Sequence, residues 1–449
     1  MNDGQSLTAL SPLDGRYASQ TEPLRQYFSE FALIKYRAFI ELRYLEMLSR
    51  HGVIRSFTSH EKNILKNIAA GFSLPDAREI KTYEKETKHD VKALEYFLKR
   101  KLKGTTLMDI LPYIHFGLTS EDVNNLAYGV MLSGANSSVL QPQLTTVLSA
   151  VRHLSSAHSG HALLALTHGQ PAVPTTFGKE IAVYYRRLAH AAAEISSHQF
   201  EGKLTGAVGN YNAVVFAFPK KNWLRISSDF VSSLGLIPNY VTTQILPADN
   251  FVEYCQHVNL LNTILIGLCQ DMWAYIGRGL VRQMRAAGQV GSSTMPQKIN
   301  PIDFENAEGN LLIADNYFEL YARKLPVSRM QRDLSDSTVK RTMGSALGHT
   351  LLAWKSIERG LASISFDREA ARTELDGHWE VLAEAMQIYF KMHGDEKGYE
   401  KVKKQLMGKH IDRNMYEHLT RGFPPLAELT PATYSGLAKK LTELALKTK

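Results

Sequence analysis

In "GSSTMPQKIN" (291–300), two hydroxyls, Ser292 and Ser293, stand a few residues from an ammonium, Lys298, and an amide, Asn300. These are nucleophile-type and anion-binding groups, placed where a long helical pattern stops. Asn300-Pro301-Ile302-Asp303 has the form of a helix start, with Asn as N-cap, Pro in the first helical position and an acid at the third. That accounts for Asn300 and Pro301 structurally. It leaves Gly291, Ser292, Ser293 and Lys298 unexplained. A glycine-led loop between two long helices can open and close over a site.

Five other segments hold residues of similar promise. In "LTHGQPAVPTTFGKE" (166–180), His168 precedes a Gly-Gln-Pro break between two helical patterns. A histidine there suits general acid or base work near neutral pH, or the capping of a helix C-terminus. His153, His158 and His161 lie upstream, but residues 150–179 contain no Cys, Asp or Glu, and the spacing fits no zinc motif. No metal is expected. "KHDV" sets Lys88, His89 and Asp90 side by side on what reads as a charged helix face. "HFGLTSEDV" follows His115 with Thr119-x-x-Asp122, a capping box whose hydroxyls, Thr119 and Ser120, also sit at a helix N-terminus suited to an anion. "SPLDGRY" (11–17) is an Asp-Gly turn followed by Arg16 and Tyr17. "QRDLSDSTVKR" (331–341) gathers Arg332, Ser337, Thr338 and Arg341, a set for phosphate or carboxylate or else a polar helix start.

The elements that must position these residues read as helices. No proline lies between Pro174 and Pro219, Pro247 and Pro296, or Pro326 and Pro424, so long helices are allowed in all three spans. In the second, Leu261, Leu265, Leu268, Met272, Ile276, Leu280 and Met284 recur at helical spacing. About 40 residues at roughly 1.5 Å each make a rod near 60 Å. Such a rod buries its stripe only against other long helices, in the same chain or in partner chains. Strand signals are two short, isolated runs, "AVVFAF" (213–218) and "YVTTQIL" (240–246). Neither G-x-G-x-x-G nor a P-loop motif occurs, which argues against a nucleotide-binding sheet. Boundaries are expected in "LPYIHFGLTSED" (111–122) and near "SISFDREAAR" (363–372), where Asp367 caps a new helix, with Thr430 and Pro431 opening a last one. The chain thus reads as residues 1–111, 112–364 and 365–449.

Composition narrows the class. With 449 residues, 44% of them hydrophobic, the chain can bury a large core in two to three domains. Its two cysteines, Cys255 and Cys269, share one apolar helical pattern, which suits small core residues in a reducing compartment. The start has no basic region followed by an apolar run, and "LLNTILIGLC" is about half of a membrane span of roughly 20 residues. A soluble, cytoplasmic protein is expected. The formal charge of +8 favours an anionic partner without choosing between a nucleic acid and a small polyanion.

Taken together, these segments resemble a known family. G-S-S-x-M-P-x-K-x-N-P resembles the signature of the fumarase/aspartase superfamily, and "KHDV", "HFGLTSEDV", "THGQPAVPTTFGKE" and "SDSTVKR" resemble its adenylosuccinate lyase family in order and spacing. "SPLDGRY" fits the subgroup found in many bacteria. The resemblance runs from about residue 7 into the C-terminal helices. It implies an all-α, three-domain fold whose central long helices build a homotetramer, with each site drawn from three chains. It implies β-elimination of fumarate from adenylosuccinate, giving AMP, and from the succinylated aminoimidazole carboxamide ribotide of purine synthesis. It implies no cofactor, metal, nucleic acid or membrane.

By the same resemblance, Ser292 takes the proton and His168 serves the leaving amine. Lys298 and Asn300, with Thr119 and Ser120, hold carboxylates, and Ser293 is a further substrate-binding residue. His89, with Lys88 and Asp90 beside it, supports the acid and the phosphate. Arg16, Tyr17, Arg332, Ser337, Thr338 and Arg341 gather the ribotide. Gln244, Asn306 and His115 are further site residues. Two positions depart from the pattern: Lys88 stands where relatives often have Asn, and Gln297 stands where His is usual. Met-Pro-Gln-Lys is closer to the argininosuccinate lyase form, so a sister lyase is the first alternative. A basic nucleic-acid-binding helical scaffold is the second.

Overall fold

A computed structural model describes residues 7–284, 295 and 297–447. Ser292 and Ser293 lie outside the described residues. Among the described residues helices dominate, and the strands pair as three two-stranded ladders. The chain divides into two compact units, residues 1–143, 194–260 and 312–352 in the first and 144–193, 261–311 and 353–449 in the second, with each boundary inside a helix. No helix among the described residues is long and apolar enough to cross a membrane.

In the first unit, the helix Glu30–Arg50 begins where Ser29 accepts the Ala32 N–H at 3.1 Å. It contains no proline or glycine, so nothing interrupts it. It is buried on most sides, and one of its buried faces carries Arg37, Glu41, Tyr44 and Leu48, at spacings of four, three and four. Three of these are polar or charged, so this face is not one that hydrophobic periodicity reveals. It packs against the helix Ser120–Ala135. The helices Leu74–Thr87 and Asp90–Leu102 pack as a pair, joined only by Lys88 and His89.

In the second unit, the strands Ala162–Thr167 and Gln170–Thr176 form an antiparallel hairpin. Leu164, at its base, enters a core with Leu375, Trp379, Leu382 and Tyr416. As expected, Asp367 caps the helix Arg368–Asp376, accepting the Glu369 and Ala370 N–H groups at 3.1 Å each. The strands Val281–Gln283 and Ile364–Phe366 pair antiparallel.

Several local expectations are corrected. Residues 213–218 lie mainly in a short helix, Asn212–Ala217, in which Val214 is buried while Val215 and Phe216 face outward. The run lacks the alternation a half-buried strand needs. Residues 240–246 stay irregular, because the Asn239 side chain accepts the Val241 N–H at 3.1 Å and offers that backbone a turn instead of a ladder. The hairpin was hidden by Pro171 and Pro174, which a two-stranded ladder tolerates at its edges.

The central rod is also shorter than the pattern suggests. The helix Asp249–Gly277 has 29 residues, about 43 Å at roughly 1.5 Å each. It closes through Gly279, at φ +75°, and a Leu280 N–H to Tyr275 carbonyl bond of 3.0 Å. No helix starts at Pro431. Thr430 and Thr433 cap each other in a turn, and the last helix begins at Ala438.

Candidate active site

Five non-glycine residues among those described have positive φ, and three of them are candidate site residues: Lys88 at +52°, His115 at +57° and His168 at +55°. Side chains rarely adopt this conformation, and where it persists the surroundings impose it, often at functional sites.

Each of the three is held by a different device. Lys88 ends one helix with its N–H on Glu84, and His89 begins the next, its Nδ1 accepting the Lys92 N–H at 3.1 Å. That commitment puts the ring proton of neutral His89 on Nε2. His115 lies in the loop before the helix Ser120–Ala135, with Nδ1 2.5 Å from Glu41 Oε1. His168 and Gly169 are the two central residues of the hairpin turn, between the paired Thr167 and Gln170. Gly169 is also positive, at φ +70°. Two positive φ values in succession are the requirement of a type I′ turn, so the break in "THGQP" is a hairpin tip rather than a helix end. His168 is exposed there.

In the first unit two of the cationic candidates, Arg332 and Arg341, stand in networks of charges. Arg332 donates to Gln244 Oε1 at 3.5 Å and pairs with Glu121 at 3.3 Å. Lys340 bridges Glu121 and Asp336 at 3.1 and 2.9 Å. Burial disfavours the Lys340 charge, but these two carboxylates outweigh it and its pKa is raised. Asp90 is held by Arg37 at 2.9 Å and by Arg341 at 3.6 Å. Burial opposes its charge, the arginines prevail, and its pKa is lowered. Arg341 also reaches Glu30 at 3.3 Å. Its contacts are long and its side chain is 44% exposed, so its fork remains free to turn toward a bidentate anion.

Arg341 lines a cleft of about 430 Å³ together with Ser11, Asp14, Arg25, Ser29 and Glu30. The "SPLDGRY" segment therefore shares a cleft with "STVKR". Arg16 itself lies over the Tyr17 ring at 5.8 Å. Ser337 is half-buried, and Thr338 is exposed on the short helix Ser335–Lys340.

The loop carrying Thr119 and Ser120 is fixed from below. Asp122 accepts the Thr119 N–H at 2.9 Å, the acid half of the expected capping box. Its other oxygen meets Lys203 Nζ at 2.8 Å, with both side chains 0% exposed. Glu121, Lys203, Lys340, Asp336, Arg37 and Glu41 were not singled out from the sequence, and Asp122 was read there only as the acid of a capping box. Lys340 adjoins Arg341, and Glu121 adjoins Ser120, so the motifs were the available signal.

In the second unit, Lys298 is exposed and Asn300 half-buried. Gln283 donates to the Ile299 carbonyl at 2.8 Å. The helix Ile302–Lys324 takes its first turn from the Pro301 carbonyl, so Asn300 lies one residue before the cap. Asn306 accepts from the Ser356 hydroxyl at 2.9 Å. His378, Glu380 and His410 cluster closely enough to consider an ion. His378 Nδ1 and Glu380 Oε1 are 2.6 Å apart, a hydrogen bond, whereas two ligands on a tetrahedral zinc at about 2 Å stand roughly 3.3 Å apart.

Two family models cover most of the chain: "Lyase" matches residues 15–312 and "Adenylosuccinate lyase C-terminal" residues 328–434. An adenylosuccinate lyase of Vibrio cholerae is 44% identical over 98% of this chain and 99% of its own. One of Escherichia coli is 43% identical, over 96% and 97%. In fold, the chain is similar to a fumarate lyase from Mesorhizobium, with TM-score 0.77 and 18% identity over 95% of this chain and 98% of that one. It is also similar to a β-carboxy-cis,cis-muconate cycloisomerase from Acinetobacter calcoaceticus, with TM-score 0.76 and 17% identity over 96% and 99%. These two likenesses establish the fold, and with the family models it is the all-α fold of the fumarase/aspartase superfamily.

Proposed function

Because the chain belongs to the adenylosuccinate lyase family of carbon–nitrogen lyases, we propose that it cleaves adenylosuccinate to AMP and fumarate, and the succinylated carboxamide ribotide to fumarate and the free ribotide. The observation that carries this reading is the near-full-length identity to enzymes of that name. The cleft at Arg341, with Arg332 and Lys340 in the adjoining network, supplies cations suited to a ribotide phosphate.

In this reaction a base removes the proton on the carbon next to a carboxylate, and charge builds on that carboxylate as an aci-form. The electron pair then forms the new C=C bond, the C–N bond breaks, and an acid protonates the departing nitrogen. Ser292 is the proposed base, and Lys298 and Asn300, with Thr119 and Ser120, hold the carboxylates, with Ser293 a further substrate-binding residue. His168 is the proposed acid, and its exposed place on a narrow turn suits a group reaching substrate bound by another chain. Lys88, His89, Asp90, Arg16, Tyr17, Gln244, Arg332, Ser337, Thr338 and Arg341 are proposed to gather the ribotide, with His115 and Asn306 completing the site. The enzyme is proposed to be a cytoplasmic homotetramer organised in three segments, 1–111, 112–364 and 365–449.

The test mixes the purified protein with adenylosuccinate and no added metal. Equal release of fumarate and AMP is expected, with inhibition by inorganic phosphate. Fumarate released from argininosuccinate instead would replace this reading with that of a sister lyase.

A further inference from the structure

Glu41 sits at the middle of a buried face of the helix Glu30–Arg50, with no exposed surface. A buried carboxylate is costly unless it is paired and hydrogen-bonded. Both of its oxygens meet one residue. Oε1 is 2.5 Å from His115 Nδ1, and Oε2 accepts the His115 backbone N–H at 3.2 Å. One turn along the same face, the Tyr44 hydroxyl donates to the Phe116 carbonyl at 2.8 Å. Two side chains of one helix thus grip the backbone of two consecutive loop residues, at the His115 N–H and the Phe116 carbonyl, around the His115 φ of +57°.

The next residue closes the device. Gly117 has φ +69°, and a Cβ there would stand 2.3 Å from Val214 Cγ1, so the loop has one path. With Nδ1–H spent on Glu41, only Nε2 of His115 can act on anything else. The side chain keeps 14% exposure, two residues before the turn that leads to Thr119 and Ser120.

We propose that Glu41 is a positioning residue for the lyase reaction: it holds His115 as a cation whose Nε2–H donates to an anionic oxygen of the substrate. This rests on the proposed function. Three carboxylates face His115, namely Glu41, Glu95 from the helix Asp90–Leu102 and Asp122 from the helix Ser120–Ala135. Glu95 is paired with Lys92 at 2.8 Å and Asp122 with Lys203, leaving Glu41 as the one carboxylate committed to the ring. Burial works against the His115 charge, but the hydrogen bond and charge of Glu41 outweigh it, and the pKa is raised above the ordinary value.

The test is Glu41→Gln, which keeps the shape and removes the charge. Two readouts are taken: the pH titration of His115 by NMR on isotope-labelled histidine, assigned with a His115→Gln control, and KM and kcat against pH. We expect His115 to titrate at lower pH in the variant. Between the titration points of His115 in the variant and in the parent, we also expect KM to rise roughly tenfold or more, on the scale of a lost charged hydrogen bond, with kcat changed far less and the loss shrinking at lower pH. Dissociation constants for AMP and for fumarate then tell which anion His115 meets. A rise in either supports the proposal, and a rise in neither overturns it. An unchanged His115 titration in a folded Glu41→Gln protein also overturns it. If that variant does not fold, the parent decides: KM must rise with pH along the His115 titration curve, and a flat KM across it refutes the assignment. A parent that releases no fumarate refutes the proposed function, while the NMR titration still tests the Glu41–His115 pair.

Discussion

Lys203 and Asp122 form an ion pair from which water is excluded on both sides. Asp122 Oδ1 also accepts the Thr205 N–H at 3.1 Å, and Lys203 donates to the Gly206 carbonyl at 3.2 Å. Such a pair adds little over an apolar replacement, but removing one partner strands the other charge. Lys203→Met is therefore expected to destabilise the protein by about 3–5 kcal/mol in urea unfolding. Adding Asp122→Asn should recover part of that loss. A single-variant cost below about 1 kcal/mol would show that the pair is better solvated than its burial implies. Because Asp122 also fixes Thr119, the same substitution should weaken substrate binding.

At the scale of elements, the hairpin separates chemistry from shape. His168 holds a positive φ that most side chains take at a cost of about 1–2 kcal/mol. Asn is at home in this conformation and is favoured beside Gly in such turns. His168→Asn should then leave the hairpin intact and the unfolding midpoint unchanged or slightly higher. Turnover should fall by a factor on the order of 10² to 10⁴, the usual contribution of a positioned acid. Loss of both stability and activity would mean that the ring packs rather than reacts. The base of the hairpin is not at risk, since Arg278 donates to the Leu164 carbonyl at 3.3 Å and pairs with Glu374 at 2.8 Å.

For the whole molecule, pH and association are the informative variables. His158 packs on Phe177 and Phe366, with its Nδ1 3.0 Å from that of His161. Burial first, then repulsion from His161, Arg368 and His153, lowers its pKa from 6.5 to about 4. The unfolded chain therefore binds the extra proton between these values, so this stability is present above pH 6.5 and is lost as pH falls toward 4. Glu61, bonded to Arg55 and to the Thr58 backbone, is lowered to about 2, and its contribution is lost only at more acid pH. His161, His198 and His349 are lowered by burial in the same direction, so the urea midpoint should decline in two steps on acidification, and His158→Phe should lessen the first. A one-step decline in the parent would contradict the assignment. The long helices also leave Val183, Leu260, Trp273, Leu312, Ile313 and Leu320 exposed on a single chain. Apolar surface of this kind is expected at an interface. Light scattering should give four times the 50.4 kDa chain mass, and a stable, fully active monomer would contradict shared sites.

How much of this was legible in sequence follows from the range of the interactions. Local signals were decisive where the chain answers only to its neighbours: Asp367 capping its helix, the acid half of the Thr119–Asp122 box, the stripe of Leu261, Leu265, Leu268 and Met272, and a motif order specific enough to name a family. The hairpin was missed because its prolines mimic a break, and the site's supports were missed because their partners are distant in the chain. Glu41 meets His115 across 74 residues, Lys203 meets Asp122 across 81, and Lys340 meets Glu121 across 219. The candidate residues for the reaction are written in short motifs. How they are charged, oriented and held depends on buried pairings that only the folded chain brings within hydrogen-bonding distance.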